Sequence, residues 1–368
     1  MKKVISLFIL STLVACSTTD IQENSQQDIE SNEVTTTTSQ FENKSTSTST
    51  SIIDTYSFNN EKMSPFTGIE LPPELWLKRP RRVLAFKIDN NFNARPQSGI
   101  QEADSIVEIL VEGGMTRFLA FYYDKTSDYL GPIRSARPTD PTLVRPYGGV
   151  LVVSGATPGL VPEIRELGVA VLEEQAPPAM FRIESRTAPH NLYSDTELVR
   201  EIIDTRGFPF NPPPGPMYPF GNDQDNWSND ANRVIVKYSD FTTVIWKIDG
   251  DQYSRFIIDG YVKADEAVAH NFITRDGYTD IIKSESIVII QGPIYIDEAT
   301  TLPSVLTVGV GPVFIFNNGK YVEGTWRRND ISEPFDFYDQ NQNPIFVPPS
   351  SQWIHILPLN GTVTWLSS

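Results

Sequence analysis

Four arginines stand in short polar segments of the first half of the chain, each within a few residues of a carboxylate or an amide. Asp89-Asn90-Asn91 leads into Ala94-Arg95-Pro96-Gln97-Ser98-Gly99, and Ala103-Asp104 follows. Glu112-Gly113-Gly114-Met115-Thr116-Arg117 sets a carboxylate and a guanidinium on either side of a Gly-Gly turn. Gly131-Pro132-Ile133-Arg134-Ser135-Ala136-Arg137-Pro138 carries two arginines three apart, and Ala188-Pro189-His190-Asn191-Leu192-Tyr193 holds the only histidine of this half. Guanidinium groups bind carboxylate and phosphate bidentately, so Arg95, Arg117, Arg134 and Arg137 would form an anion site if they converge. The competing arrangement pairs each arginine with Asp89, Glu112 or Asp140 and pins loops. His190 has the intrinsic pKa of a general base near neutrality, although a lone His after Pro commonly serves as a structural hydrogen-bonding residue. Asp89, Gln97, Asp104, Glu112 and Asn191 complete the candidate ligand-binding set.

These residues cluster where predicted strands end, as functional groups on a rigid scaffold do. Arg82 to Asp89, Arg117 to Asp124 and Gly149 to Ser154 are apolar runs that predict strands buried on both faces. Ala103 to Val111 fits a strand or a helix. Leu160 to Leu167 and Asp195 to Asp204 have helical spacing, the second with Ser194 and Glu197 in the pattern of a capping box. Ser154 ends a strand, so it stands as either a nucleophile or a helix cap. From Asn211 to Asp230 the prolines and polar residues predict a linker or long surface loop. Beyond it come many short strand-like runs, a hairpin turn at Asn317-Asn318-Gly319 and a short Ala-rich helical stretch near Ala264 to His270. The fold class read from this order is α+β: a mixed α/β N-terminal domain (58–210), then the 211–230 linker, then a predominantly β C-terminal domain (231–368).

The first residues limit where such a site would work. Lys2 and Lys3 precede an apolar stretch too short to span a bilayer, and Leu13-Val14-Ala15-Cys16 ends it, which reads as a lipoprotein signal peptide (1–16) with Cys16 as the lipidated residue. Residues 17–57 are Ser- and Thr-rich with few large apolar side chains, a disordered tether whose roughly 40 residues have a mean reach of about 35 Å. The expected location is the extracytoplasmic face of the cell membrane. Cys16 is the only cysteine, so an intramolecular disulfide and further thiol chemistry are excluded. Acidic residues outnumber basic ones 46 to 30, a net charge of −16 without any long basic run, so nucleic acid is not an expected partner. Three scattered histidines make no zinc motif, no other cofactor is expected, and the common serine-hydrolase, metalloprotease and P-loop signatures are missing.

In the second half Gly324-Thr325-Trp326 and Gln352-Trp353-Ile354 bear tryptophans that read as core residues, with stacking on a sugar as the alternative. Together with Pro65-Phe66-Thr67-Gly68, Ile88-Asp89-Asn90 and the four polar clusters, these motifs resemble the YerB-like bacterial lipoproteins, which share a domain of unknown function, from about Pro65 to the C-terminus. Asp104-Ser105 departs from the family's usual Asp-Ile. The resemblance implies a two-domain extracytoplasmic lipoprotein and carries over no catalytic activity. The order Asp104, Arg134, Arg137 is similar to cell-wall phosphotransferases of the LytR-CpsA-Psr type. The leading expectation is therefore a non-enzymatic binding module for an anionic group of a cell-wall glycan, peptide or envelope protein; the alternative is a glycan or phosphoryl transferase or hydrolase using the arginine cluster.

Overall fold

Leu84–Asp89, Ser105–Leu110 and Thr116–Tyr122 are strands in which every residue is buried, which happens when both faces of a sheet are covered. In the computed structural model of the chain they lie at the middle of a ten-stranded sheet, and Ala103 to Val111 is thereby strand rather than helix. The structure describes residues 59, 61–77, 81–210, 214–222, 224, 227–228, 231–260 and 267–367. The signal peptide, Cys16 and the tether lie outside the described residues.

The spatial order of the sheet is Asp336–Tyr338, Lys320–Arg328, Gly309–Asn317, Ser286–Gly292, Gln352–Pro358, Ser105–Leu110, Thr116–Tyr122, Leu84–Asp89, Val150–Val152 and Ala170–Leu172. Two parallel groups interrupt an otherwise antiparallel sheet. Leu84–Asp89, Val150–Val152 and Ala170–Leu172 run parallel, and so do Ser105–Leu110, Gln352–Pro358 and Ser286–Gly292. Gln352–Pro358 thus joins the two halves of the chain in one sheet. Alternation divides the central strands cleanly: Ala85, Val107, Leu119 and Phe121 belong to one core, and Phe86, Ile88, Ile106 and Phe118 to the other. The second core is closed by a smaller antiparallel sheet containing Arg233–Lys237, Thr243–Asp249 and Gln252–Ile258. Helices are few and strands many, and the fold class is α+β.

Several local expectations are met and others corrected. Asn317↔Lys320 closes a hairpin over Asn318 and Gly319, both at positive φ, as the Asn-Gly signal predicts. The helix after Ser194 runs Thr196–Thr205, but its cap is Asp195, whose carboxylate accepts from the Glu197 and Leu198 amides; Ser194 is still in a strand. Ser154 caps nothing, since the next helix, Leu160–Glu166, starts six residues later behind Gly159. The described end of the Ala-rich stretch, Val268–Ala269, is a strand. The Pro-rich 211–230 segment is not a surface loop in its described part: Met217, Tyr218 and Phe220 enter the first core, because their aromatic and thioether bulk outweighs the turn-forming neighbours. Trp326 and Trp353 are core residues, with their indole N–H groups bonded to Gln291 O (2.7 Å) and Glu108 (3.0 Å).

Between the two sheets runs a fully buried polar network. Glu108 and Arg255, both without exposed side-chain surface, form an ion pair at 3.0 Å. The Glu108 carboxylate also accepts from Thr116 (2.7 Å) and Trp353. The guanidinium lies 4.7, 5.4 and 5.6 Å from the ring centroids of Trp353, Trp246 and Phe118. Arg255 Nε donates to His270 Nδ1, which leaves His270 Nε2–H to donate to Gln97 Oε1 (2.8 Å). Trp246 donates to His355 Nε2, so His355 Nδ1 carries the proton and donates to the Tyr238 hydroxyl, which in turn donates to Glu108 O. Burial and the neighbouring Arg255 charge hold both histidines well below the usual imidazole pKa, hence neutral. Replacing Arg255 by Met strands a buried carboxylate and should cost about 3–5 kcal/mol in urea denaturation. Combining it with Glu108→Gln should recover part of that loss; a double variant no more stable than Arg255→Met would contradict the pairing.

Candidate functional site

Asp89 ends its strand and Asn90 follows, and the pleat sends the two side chains to opposite faces. Asn90 joins the buried network, accepting from Gln97 (3.1 Å) and Arg95 (3.1 Å) and donating to Thr116 (2.8 Å). Asp89 points the other way, toward the C-terminal end of the three parallel strands, the position where open α/β sheets bind ligands. Its Oδ2 accepts from His190 Nδ1 at 2.7 Å, and Arg134 Nε forms an ion pair with the same oxygen at 3.1 Å without hydrogen-bond geometry. The Arg134 loop is threaded between strands: Arg134 N donates to Lys87 O, Asp89 N to Pro132 O, and Ser154 N to Arg134 O. Ser135 and Ser154 hydroxyls are 3.4 Å apart beside it. Beyond Ser154 opens a polar depression of about 890 Å³, also lined by Arg165, Glu173 and Arg206.

Arg117 sits opposite Asp89 across the strand pair and faces Glu112 around the Gly-Gly turn. Gly113 and Gly114 both have positive φ, and a side chain at Gly114 would run into Ser239. Ser239 and Thr242 hydroxyls donate to Gly114 O (2.7 and 2.9 Å), so the second half of the chain fixes the turn that holds Glu112. Arg137 grips Glu112 bidentately and donates to Ser135 O and Ala136 O; Arg117 donates to Ser135 O as well. Burial raises the Glu112 carboxyl, but the Arg137 hydrogen bond and the charges of Arg117 and Arg137 outweigh it and bring it down to about 2. Burial and the Arg137 charge lower Arg117 to about 10.

Of the ten candidate residues, Asp89, Glu112, Arg117, Arg134, Arg137 and His190 therefore come together. Arg95 and Gln97 are behind them in the network, Arg95 bound to Asp259 at 2.6 Å and Gln97 to Asp89 O at 2.9 Å. Asn191 is turned away, accepting from Arg182 (2.6 Å). Asp104 does not face the arginines: its carboxylate accepts the amides of Tyr123, Asp124 and Lys125. It precedes a strand on which the residue opposite Arg117 is Ile109, five residues or roughly 17 Å further along. Burial, then the Asp124 charge, push the Asp104 carboxyl up to about 6.

The sequence reading missed the buried Lys87–Asp140 pair (2.6 Å), whose Asp140 also accepts from Arg137 N at 2.7 Å and so ties the cluster to the sheet. A charged residue inside the apolar run Arg82 to Asp89 was the available signal, because a buried ammonium needs a partner.

Two stability measurements follow. Arg137→Ala removes both bonds to Glu112 and two carbonyl contacts and should cost about 2–3 kcal/mol in urea, whereas Arg134→Ala, part-exposed and paired once, should cost less than about 1 kcal/mol. Glu112 binds its proton at about 2 in the folded chain against 4.5 ordinarily, so its contribution is present above pH 4.5 and lost as pH falls toward 2. The urea-midpoint gap between the native chain and Glu112→Gln should accordingly narrow from pH 7 to pH 3; a constant gap would refute the assignment.

Residues 66–209 match the family model "Protein of unknown function (DUF3048) N-terminal domain" and residues 234–354 its C-terminal domain counterpart. The chain is 26% identical over 301 residues to "Putative lipoprotein YerB" of Bacillus subtilis (strain 168), covering 80% of this chain and 86% of that protein. The crystal structure of YerB protein from Bacillus subtilis superposes with a TM-score of 0.68 at 21% identity, covering 82% of this chain and 99% of that one. Sharing both halves in the same order with these proteins, the chain belongs to the DUF3048 family of YerB-like proteins.

Proposed function

We propose that this protein is a lipoprotein anchored through Cys16 on the extracytoplasmic face of the cell membrane, whose folded part binds an anionic group of a cell-wall glycan, peptide or envelope protein. Support for the address comes from the signal-like N-terminus and from the lipoprotein name of the B. subtilis relative. The observation that carries the binding reading is Arg134. Its side chain is 22% exposed, makes no hydrogen bond among the described residues, and is held in place by Asp89 at the end of three parallel strands. Arg117 and Arg137 lie behind it, already bonded to Glu112, and add positive potential rather than direct contacts. The revised site is thus one presented guanidinium supported by two others, instead of four converging forks.

A second reading, transfer or hydrolysis on an envelope glycan or phosphoryl group, is favoured by the Asp89–His190 contact, which commits Nδ1 and leaves Nε2 as the proton acceptor. Against it stands Asp104, the carboxylate such chemistry would draw on beside Arg134 and Arg137, which is at the other end of its strand.

Purified mature chain should bind cell-wall fragments in a salt-sensitive manner, with affinity falling about tenfold in Arg134→Ala while its melting temperature stays near that of the native chain. Equal binding by the native chain and Arg134→Ala in a pull-down titrated against salt would remove the anion-binding reading.

A further inference from the structure

Fourteen large hydrophobic residues are exposed among the described residues, and six of them fall within seventeen positions: Ile294, Tyr295, Ile296, Leu306, Val308 and Val310. Part of the group adjoins in space as well, with Ile294 and Ile296 on one side of their strand and Tyr295 on the other. Ile294–Ile296 pairs with Pro303–Val305 as a two-stranded ribbon separate from both larger sheets, and Leu306 N donates to Pro293 O at 2.8 Å. Val310 lies near the start of the next strand, opposite Arg327, and Gly311 beside it packs so closely on Gln291 O that a side chain could not fit. Exposures of 36–62% leave a substantial part of each side chain in water.

The ribbon is not loose. Thr139 Oγ1 contacts Ser304 Oγ at 2.7 Å and accepts from Val305 N, while Thr307 donates to Thr142 at 2.8 Å. Arg328, itself buried, clamps the base through Thr142 O (2.6 Å) and Thr307 O. The apolar face is therefore presented by a fixed scaffold, and a patch that does not fold back is one that marks an interaction surface.

From this we infer that the 294–310 face is a membrane-contact surface that seats the folded part on the lipid headgroup–acyl boundary. The inference rests on the anchored reading given above. Lipid is the occupant favoured by three observations. The sequence attaches the folded part to an acylated Cys16 through roughly 40 residues, which keeps it within a few nanometres of a bilayer at an effective concentration on the order of millimolar. The composition is that of an interfacial insertion site, aliphatic side chains around a tyrosine. Apart from Asp297 and Glu298, no charged residue occurs from Ser286 to Gly319, and the basic group opposite Val310, Arg327, is engaged with Gln342, so few charges oppose entry into the interface.

The test uses the mature chain carrying Cys16→Ser, which cannot be acylated, with vesicles of zwitterionic phosphatidylcholine. Co-sedimentation with the vesicles is expected, and Ile296→Asp/Val310→Asp should lower the bound fraction about tenfold, while Tyr278→Asp, at an exposed tyrosine elsewhere, should leave it unchanged. A Tyr295→Trp variant should show blue-shifted emission on vesicles and quenching by brominated lipid. Vesicle binding indifferent to the double aspartate variant overturns the inference, and so does a concentration-dependent dimer abolished by that variant without vesicle binding, since the face would then belong to a second copy. Mass spectrometry of Cys16 in the native chain reads the anchor separately: an unmodified thiol removes the anchored reading, whatever the vesicles show.

Discussion

Glu108 and Arg255 are charged groups with no access to water, one from each half of the chain, and the whole interior is arranged around keeping them together. Removing both charges from water is expensive, and attraction between them offsets the cost only when every remaining donor and acceptor is also matched. That condition propagates outward. Thr116 must turn its hydroxyl to Glu108, so Asn90 must donate to Thr116; Arg255 must find His270, so Gln97 must accept from His270. Two neutral histidines of fixed tautomer, two indoles and one phenol extend the network, and Arg255 Nη1, left without a hydrogen-bond partner, belongs to a guanidinium packed against three aromatic rings. A hydrophobic interior tolerates small rearrangements, whereas a chain of directed hydrogen bonds admits one register between the sheets.

The candidate site inherits this rigidity through a single dipeptide. Asn90 is a member of the network and Asp89, its neighbour, holds Arg134 and His190 on the opposite face. On the far side, Gly114 is hydrogen-bonded to Ser239 and Thr242, which steadies the turn bearing Glu112. Residues from the second half thus set the position of groups that all belong to the first. Arg117 and Arg137 spend their donors on Glu112 and on loop carbonyls, leaving Arg134 as the member with capacity to spare.

Much of this was legible in the sequence, for physical reasons that differ by residue. The Leu84–Asp89 and Thr116–Tyr122 strands announce themselves because both faces are apolar, and Asn318-Gly319 because few residues accept positive φ. The arginine clusters were visible as types, but which arginine keeps donors to spare depends on contacts among loops far apart in sequence, as with Arg137 and Glu112 twenty-five positions away. Asp104 was misjudged because strand length, not motif order, decides its distance from Arg117. The 211–230 segment misled because proline suggests exposure, while Tyr218 bonding Gln352 and packing near Phe220 could only be known from the fold. Glu108 and Lys87 were the overlooked signals, each a lone charge inside a run of buried apolar residues.

The strand Gln352–Pro358 lies between Ser105–Leu110 and Ser286–Gly292, parallel to both. Its two neighbours come from different halves of the chain, so the middle of the sheet stays open until this strand is in place. A chain stopped before Gln352 retains two sets of strands with their inner edges unpaired, and those edges are templates for pairing with other chains. Closure of the sheet therefore waits on one strand, and a chain that has not placed it is marked by an exposed seam that the folded protein does not show.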